Sequence, residues 1–354
     1  MEEKCVITTW LFKTDLSNMN AGEGSTNLKE LKTYNGGLPY ISGQSVRHAL
    51  RKSIQREQPE AFKCTPEFPC GNITDCWLCD MFGYLLPKEG AKRWSPIKAS
   101  PAMGQIRSSI TTDLIFRMVN DIECPKCNEK IYPLAARGKG DNNSVKDKNI
   151  KQGSKLKCPK CNDTFDAPYD IRQALAYKQL TDNTYRANIS LDIGALGIEE
   201  VPKIIGEGEN AAMDGTNYKE LYGDNERIKR IIALLNAIAN VNDFANQSRE
   251  MTSASPDFVL IGVQEQYNHK LSSALRMDEE GNINKSAFAD VLQDCLAIPN
   301  TKIFMGMISG TINNEQEIFD VLEEFNGNGL ILCGTPRQAI DETIKYLGDQ
   351  NEGN

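Results

Sequence analysis

Apolar residues recur along this chain at two spacings, and the spacing changes from element to element. Residues 4 to 13, KCVITTWLFK, put Val6, Thr8, Trp10 and Phe12 at every second position, which predicts a first strand. A polar loop from Asn18 to Gly37 follows. After Ser42, the residues Val46, Ala49, Leu50 and Ile54 recur at helical spacing and predict a helix with one buried stripe. Gln105 to Val119 reads as strand and loop, and Tyr185 to Ile193 alternates as another strand. An amphipathic helix is predicted over 226–244, with Ile228, Ile231, Ile232, Leu235 and Ile238 on its stripe. The run from Phe258 to Val263 predicts a short buried strand. Beyond it come helix 286–297, strand 303–308, helix 315–325, strand 329–333 and a last helix from Pro336. For that last helix, Thr335 is the N-cap and Gln338 stands at the third helical position, a capping box.

Two cysteine-bearing stretches, 58–90 and 120–168, interrupt this series. Without them the order is strand, helix, strand, strand, helix, strand. That order predicts an α+β fold of ferredoxin-like (RRM-like) type, with both helices on one face of an antiparallel sheet and the other face open to a long ligand. Residues 1–265 would form this unit with its two insertions, and 266–354 an α/β extension completing it.

The interruptions change the chemical picture. Cys124-Pro-Lys-Cys127 and Cys158-Pro-Lys-Cys161 are two CxxC turns, each able to present two thiolates to one metal ion. Together they predict a closed zinc ribbon, whose long connecting stretch of Gly, Asn and Lys suits a loop with a slowly growing closure cost. Cys64, Cys70, Cys76 and Cys79 form a second set of four, followed by Phe82-Gly83. Its spacing is less regular, and a second zinc, a reduced cysteine-rich loop and an iron–sulfur cluster all remain open.

Composition sets limits. The chain has 354 residues, 40% hydrophobic, and a net charge of −8. It can bury a large core, and any nucleic-acid surface must be local rather than general. One basic stretch exists: Arg137 to Lys160 carries eight Lys/Arg (Arg137, Lys139, Lys146, Lys148, Lys151, Lys155, Lys157, Lys160) against Asp141 and Asp147. No segment has the length and hydropathy of a signal peptide or membrane span, so the expected location is the cytoplasm, where eleven cysteines favour metal ligation over disulfides. His48 and His269 are the only histidines, and neither lies in a pattern that suggests a catalytic triad or general base.

On the first predicted helix, Arg47 and Arg51 stand four residues apart and flank the apolar stripe. Ser42, Gln44 and Ser45 lie at its N-terminus, where free amides and partial positive charge make a phosphate seat. A plainly solvated basic face is the other reading of the same residues.

Several segments together resemble a known family. They are Leu38-Pro-Tyr-Ile-Ser-Gly-Gln-Ser-Val-Arg-His-Ala-Leu-Arg51, Cys76-x-x-Cys-Asp-Met-Phe-Gly83, Trp94-Ser-Pro-Ile-Lys-Ala-Ser-Pro101 and Ile189-Ser-Leu-Asp-Ile-Gly-Ala-Leu-Gly197. In order through residues 4 to 265, they look like the DevR-type backbone subunit of type I CRISPR Cascade complexes, in the RAMP superfamily. The resemblance implies a modified ferredoxin-like palm with inserted finger and thumb elements. It implies a non-catalytic subunit that polymerises in further copies along crRNA, beside other effector subunits, and supports guide pairing with target DNA. By position it assigns Ser42, Gln44, Ser45, Arg47 and Arg51 to guide phosphates and places Lys98 in an RNA-lining loop. The ribbon from Cys124 to Cys161 goes beyond the family's commonest pattern. Type III relatives that cleave target RNA use an aspartate before the first helix, whereas Asn27 to Leu38 contains Glu30 and no Asp. An RNA-cleaving subunit of that kind is the main alternative, and a zinc-ribbon enzyme of unrelated chemistry is the third.

Overall fold

The computed structural model describes residues 3–20, 28–117, 122–133, 144–145, 149–169, 171–172, 174–206 and 212–352. Two compact units divide the chain: residues 1–21, 31–109 and 181–354 form the larger, and 22–30 with 110–180 the smaller.

The larger unit is built on a mixed sheet that is antiparallel except at one edge. Cys5–Ser17 lies between Phe258–Gln264 and the second half of the long strand Ala174–Asp192, antiparallel to both. Ile97–Ala99 and Ala102–Gly104 pair on the far side of the long strand. The spatial order is therefore fourth, first, third, second for the four strands of the repeated pattern. Helices α1 (Gly43–Glu57) and α3 (Asp224–Ala239) fill the two helical places. Val46, Ala49, Leu50 and Ile54 of α1 and Ile231, Leu234, Leu235 and Ile238 of α3 join Val6, Trp10 and Phe12 in one core, so both helices cover the same face. The short helix α2 (Trp77–Phe82), in the first cysteine-bearing stretch, adds to that core. The apolar stripe of α3 ends near Ala239, short of the Phe244 expected from periodicity, because Asn240 turns the chain out of the helix.

The opposite face is not open as the sequence order suggests. Lys302–Met307 and Leu330–Leu332 extend the sheet, and α4 (Lys285–Leu296) and α5 (Glu315–Phe325) bring Phe288, Leu292, Ile318 and Leu322 onto Cys5, Ile7, Leu11, Phe258 and Leu260. The physical reason is in the first strand: its odd positions are as apolar as its even ones, and residues 5–12 are all buried. Helix α6 (Pro336–Glu352) returns to the first face through Ala339, Ile340 and Leu347. Its start is capped reciprocally, with the Thr335 amide donating to Gln338 Oε1 at 2.9 Å and the Gln338 amide to Thr335 Oγ1 at 3.3 Å. Gly306 admits this approach, since a Cβ there would stand 2.2 Å from the Thr335 carbonyl oxygen.

In the smaller unit, Leu28–Lys29 and Thr111–Arg117 pair with the first half of the long strand. The same unit holds both CxxC turns of the expected ribbon. The first cysteine-bearing stretch, by contrast, packs into the larger unit's core through Ile73, Leu78, Met81 and Phe82. None of the described helices is long and apolar enough to cross a membrane.

A buried ionic cluster fixes that stretch in place. Asp80 of α2 is fully buried and bonds Arg230 of α3, Arg93, the Tyr222 hydroxyl and the Gly197 amide. Arg230, also fully buried, further donates to the carbonyls of Ile73 at 3.0 Å and Thr74 at 2.7 Å. Arg93 reaches the carbonyls of Ala195 and Ile198, both at 2.6 Å. Removing one member leaves charges buried without partners, a loss of about 3–5 kcal/mol. Asp80→Ala is therefore expected to lower the unfolding free energy by that amount in urea titration, and a change below about 1 kcal/mol would contradict the assignment.

Candidate metal centres and nucleic-acid interface

The two cysteine tetrads are both assembled. Within each, all four Sγ atoms lie within 4.8 Å of one another. In the ribbon, Cys124–Cys161 and Cys127–Cys158 are each 3.6 Å apart; in the second set Cys64 lies 3.5 Å from both Cys76 and Cys79, and Cys70 3.7 Å from Cys79. These spacings exceed the roughly 2 Å of a disulfide. They match the edge of about 3.8 Å expected for a sulfur tetrahedron with metal–sulfur bonds of about 2.3 Å. The donor set therefore fits a tetrahedral thiolate-bound ion such as zinc at both places.

The ribbon's turns are near repeats of one another. In each, the residue after the second cysteine, Asn128 or Asn162, takes a left-handed conformation (φ 55° and 57°) and donates its amide to the carbonyl of the first cysteine. Asparagine tolerates that conformation better than other side-chain-bearing residues. The amides of the first cysteines, Cys124 and Cys158, donate to the carbonyls of Glu129 and Asp163 at 2.9 and 2.8 Å. The turns are also cross-linked by charge, Lys160 to Glu129 at 2.7 Å and Lys126 to Asp163 at 3.6 Å. Of the basic stretch beside them, Lys155 pairs with Asp166, whereas Arg137, Lys139, Lys146 and Lys148 lie outside the described residues.

The second tetrad is carried by the start of α2, with Cys76 as its N-cap and Cys79 inside it. Gly83, which ends α2 at φ 73°, has no room for a side chain: a Cβ would lie 2.5 Å from the Arg93 carbonyl oxygen. One thiol in each tetrad is drawn below the ordinary cysteine range, Cys76 by the hydrogen bond from Cys79 and Cys158 by the backbone amide of Cys161. The ionised thiolate is the state a metal requires.

The residues expected to seat phosphates are close together but differently employed. Ser42 caps α1, its Oγ accepting the Ser45 amide at 3.3 Å, and Asn20 Oδ1 accepts the Ser42 amide at 2.9 Å. Gln44 is exposed on the first turn. Arg47 turns inward and donates to Ser95 Oγ, Ile97 O and Phe82 O at 3.1, 2.7 and 2.9 Å, with its guanidinium over the Phe82 ring. Its role in the structure is to tie α1 to the 94–101 segment. Arg51 lies against His48 Nδ1 at 3.1 Å. Lys98 is exposed and folds back on the Ser95 carbonyl at 2.6 Å.

Periodicity gave no sign of the cavity beside Lys98. It encloses about 730 Å³ and is lined by Lys92, Arg93, Trp94 and Lys98 on one side and by Asp192, Glu199, Met213 and Tyr218 on the other. Trp94 is 75% exposed and Tyr218 70%. Lys92 Nζ stands 5.5 Å from the Trp94 ring centre. An exposed indole with the Lys92 ammonium beside it offers a base a stacking face and its phosphate a partner. The side walls come from the hairpin Ile198–Ile205 and Ala212–Glu220, nearly every described residue of which is exposed.

No family model matches the chain, and no curated protein matches it. Among solved structures it is similar to a chain of a "CRISPR RNA-guided surveillance complex", with TM-score 0.54 and 11% identity over 97% of this chain and 99% of that one. It is also similar to a chain of a "CRISPR RNA-guided surveillance complex, pre-nicking", with TM-score 0.54 and 10% identity over 97% of this chain and all of that one. At these identities the likeness is one of fold.

Metal analysis of protein purified without chelator is expected to find two zinc ions per chain. Structural zinc contributes on the order of 10 kcal/mol to small modules. Cys124→Ser should therefore loosen residues 122–169 in hydrogen exchange and leave the larger unit protected. Protein with no bound zinc, or exchange that rises over the whole chain, would contradict the two-centre account.

Proposed function

We propose that this chain is a guide-RNA-binding subunit of a CRISPR interference complex, built on a ferredoxin-like palm, that polymerises along crRNA and supports guide pairing with target DNA without cleaving nucleic acid itself. The observation that carries the reading is the end-to-end fold likeness to surveillance-complex chains, 97% of this chain against 99% of that one. The segments 38–51 and 94–101 that resemble the backbone family add to it, because Arg47 binds them into one surface. On that surface Lys92, Trp94 and Lys98 supply cations and a stacking ring, and in this proposal they take over the phosphate contacts first assigned to Arg47. Zinc at the tetrads serves as a staple, closed by four thiolates with no position left for substrate.

The test is co-purification. Chain expressed with its CRISPR array and partner subunits should carry RNA of uniform length, seen as a raised absorbance ratio and one band on a denaturing gel. Lys92→Ala with Lys98→Ala should lower the log–log salt slope of RNA binding by roughly 1.4, at about 0.7 per phosphate contact on single strands. Regularly spaced cuts in complementary RNA incubated with Mg²⁺ would favour the RNA-cleaving alternative. Protein free of RNA under these conditions would overturn the reading.

A further inference from the structure

On the long strand, alternate residues face opposite ways. Tyr185, Ala187, Ile189 and Leu191 join the core beneath α1 and α3, and Arg186, Asn188 and Ser190 point to the other face. Arg186 stands beside apolar neighbours, with Leu11 opposite it on one flanking strand and Met103 on the other. Its Nε and Nη1 are buried and make no hydrogen bond. A guanidinium carries five donors and cannot be neutralised by losing a proton at ordinary pH, so leaving donors buried and unbonded is costly. Among the described residues, the titratable groups acting on Arg186 are a second cation, Arg276, and the Tyr34 phenol, with no carboxylate among them. Burial and Arg276 together pull Arg186 down to about 10, so it is still charged at neutral pH.

The second arginine is held there by design of the fold. Gln105, two residues beyond Met103, donates to the Met103 carbonyl at 2.6 Å and accepts the Met277 amide at 3.2 Å. This ties the segment carrying Arg276 to the strand that flanks Arg186. Tyr34 is fixed as well, its hydroxyl donating to the Gly104 carbonyl at 2.7 Å. Arg276 is exposed, so the pair has a solvent side. Of the carboxylates that follow Arg276 in the chain, Glu279 is paired with Arg107 at 2.7 Å and Asp278 accepts from the Glu280 and Asn282 amides.

Two positive groups that act on one another, one desolvated and short of acceptors, have as their chemical complement an anion with several oxygens. We propose that Arg186 and Arg276, framed by Tyr34, form an anion site for a backbone phosphate of bound single-stranded RNA, distinct from the Lys92–Trp94–Lys98 surface. The identity of the strand rests on the function proposed above; the anion site does not. Arg186 is the anchor, and Arg276 closes over the phosphate from the solvent side.

The test has two arms, both on the full chain. In the first, inorganic phosphate is titrated to 10 mM at constant ionic strength and thermal unfolding is followed. Wild type should gain a few degrees along a saturating curve. Arg186→Met should melt higher than wild type without phosphate, because a buried unpaired charge has gone, and should show no phosphate response. Arg276→Gln should lose the response with its starting midpoint unchanged, and it serves alone if Arg186→Met does not fold. Equal phosphate responses in wild type and in the folded variants would overturn the site. In the second arm, a fluorescein-labelled 30-nucleotide RNA should bind Arg186→Met about tenfold more weakly or worse, with the salt slope reduced by about 0.7. RNA binding by wild type and variants alike would refute the strand assignment. Wild type that binds no RNA would remove the proposed function, and the phosphate arm would then judge the anion site by itself.

Discussion

The carboxylate of Asp80, buried between two arginines, is the interaction on which the larger unit's functional surface depends. It joins four pieces of chain distant in sequence: the cysteine-bearing stretch, the strand after it through Arg93, the base of the exposed hairpin through Gly197, and α3 through Arg230. A buried ion pair of this kind adds little net stability over an apolar core, but its donors and acceptors match in only one arrangement. Arg93 is both a partner of Asp80 and a wall of the cavity beside Trp94. The position of that wall is thus set from inside the protein. The thiolate tetrad reaches the same point, because Cys76, the N-cap of α2, and Cys79 within it precede Asp80 by four residues and one.

The protein is acidic overall, and its cations are used locally. The net charge of −8 excludes a general basic surface. Some cations are consumed internally, as Arg47, Arg93 and Arg230 are, others pair with surface carboxylates, as Arg107 and Lys155 do, and Lys92 stands beside an aromatic ring. The second apolar core explains where polar residues appear on the sheet: α4 and α5 cover the first strand and its neighbours, and the polar residues Arg186, Asn188 and Ser190 begin where that cover ends.

Much of this was legible in the sequence, for identifiable reasons. Strands, helices and the capping box at Thr335 follow local periodicity and cap chemistry, which do not depend on distant contacts. Both tetrads were legible because CxxC spacing brings sulfurs together locally. The covered second face was missed although Cys5, Ile7 and Leu11 signalled it, since alternation was counted on one parity only. The inward turn of Arg47 could not be read, because its acceptors are backbone carbonyls at positions 82 and 97, which have no sequence signature. Arg186 and Arg276 are ninety residues apart and are linked only through the Met103 register and the Gln105–Met277 hydrogen bond, so no motif records them. Asp80 was visible as the residue after Cys79, but its partners were not.

The account's central claim is that a single RNA strand lies on the larger unit. Ultraviolet crosslinking of the complex purified with its RNA, followed by mass spectrometry of the crosslinked peptides, tests it most directly. Nucleotide adducts are predicted on the peptides containing Trp94 and Tyr34, with none on α4 or α5, which serve to bury the sheet. Adducts confined to α4 and α5, or absent from the larger unit while RNA is present, would contradict it.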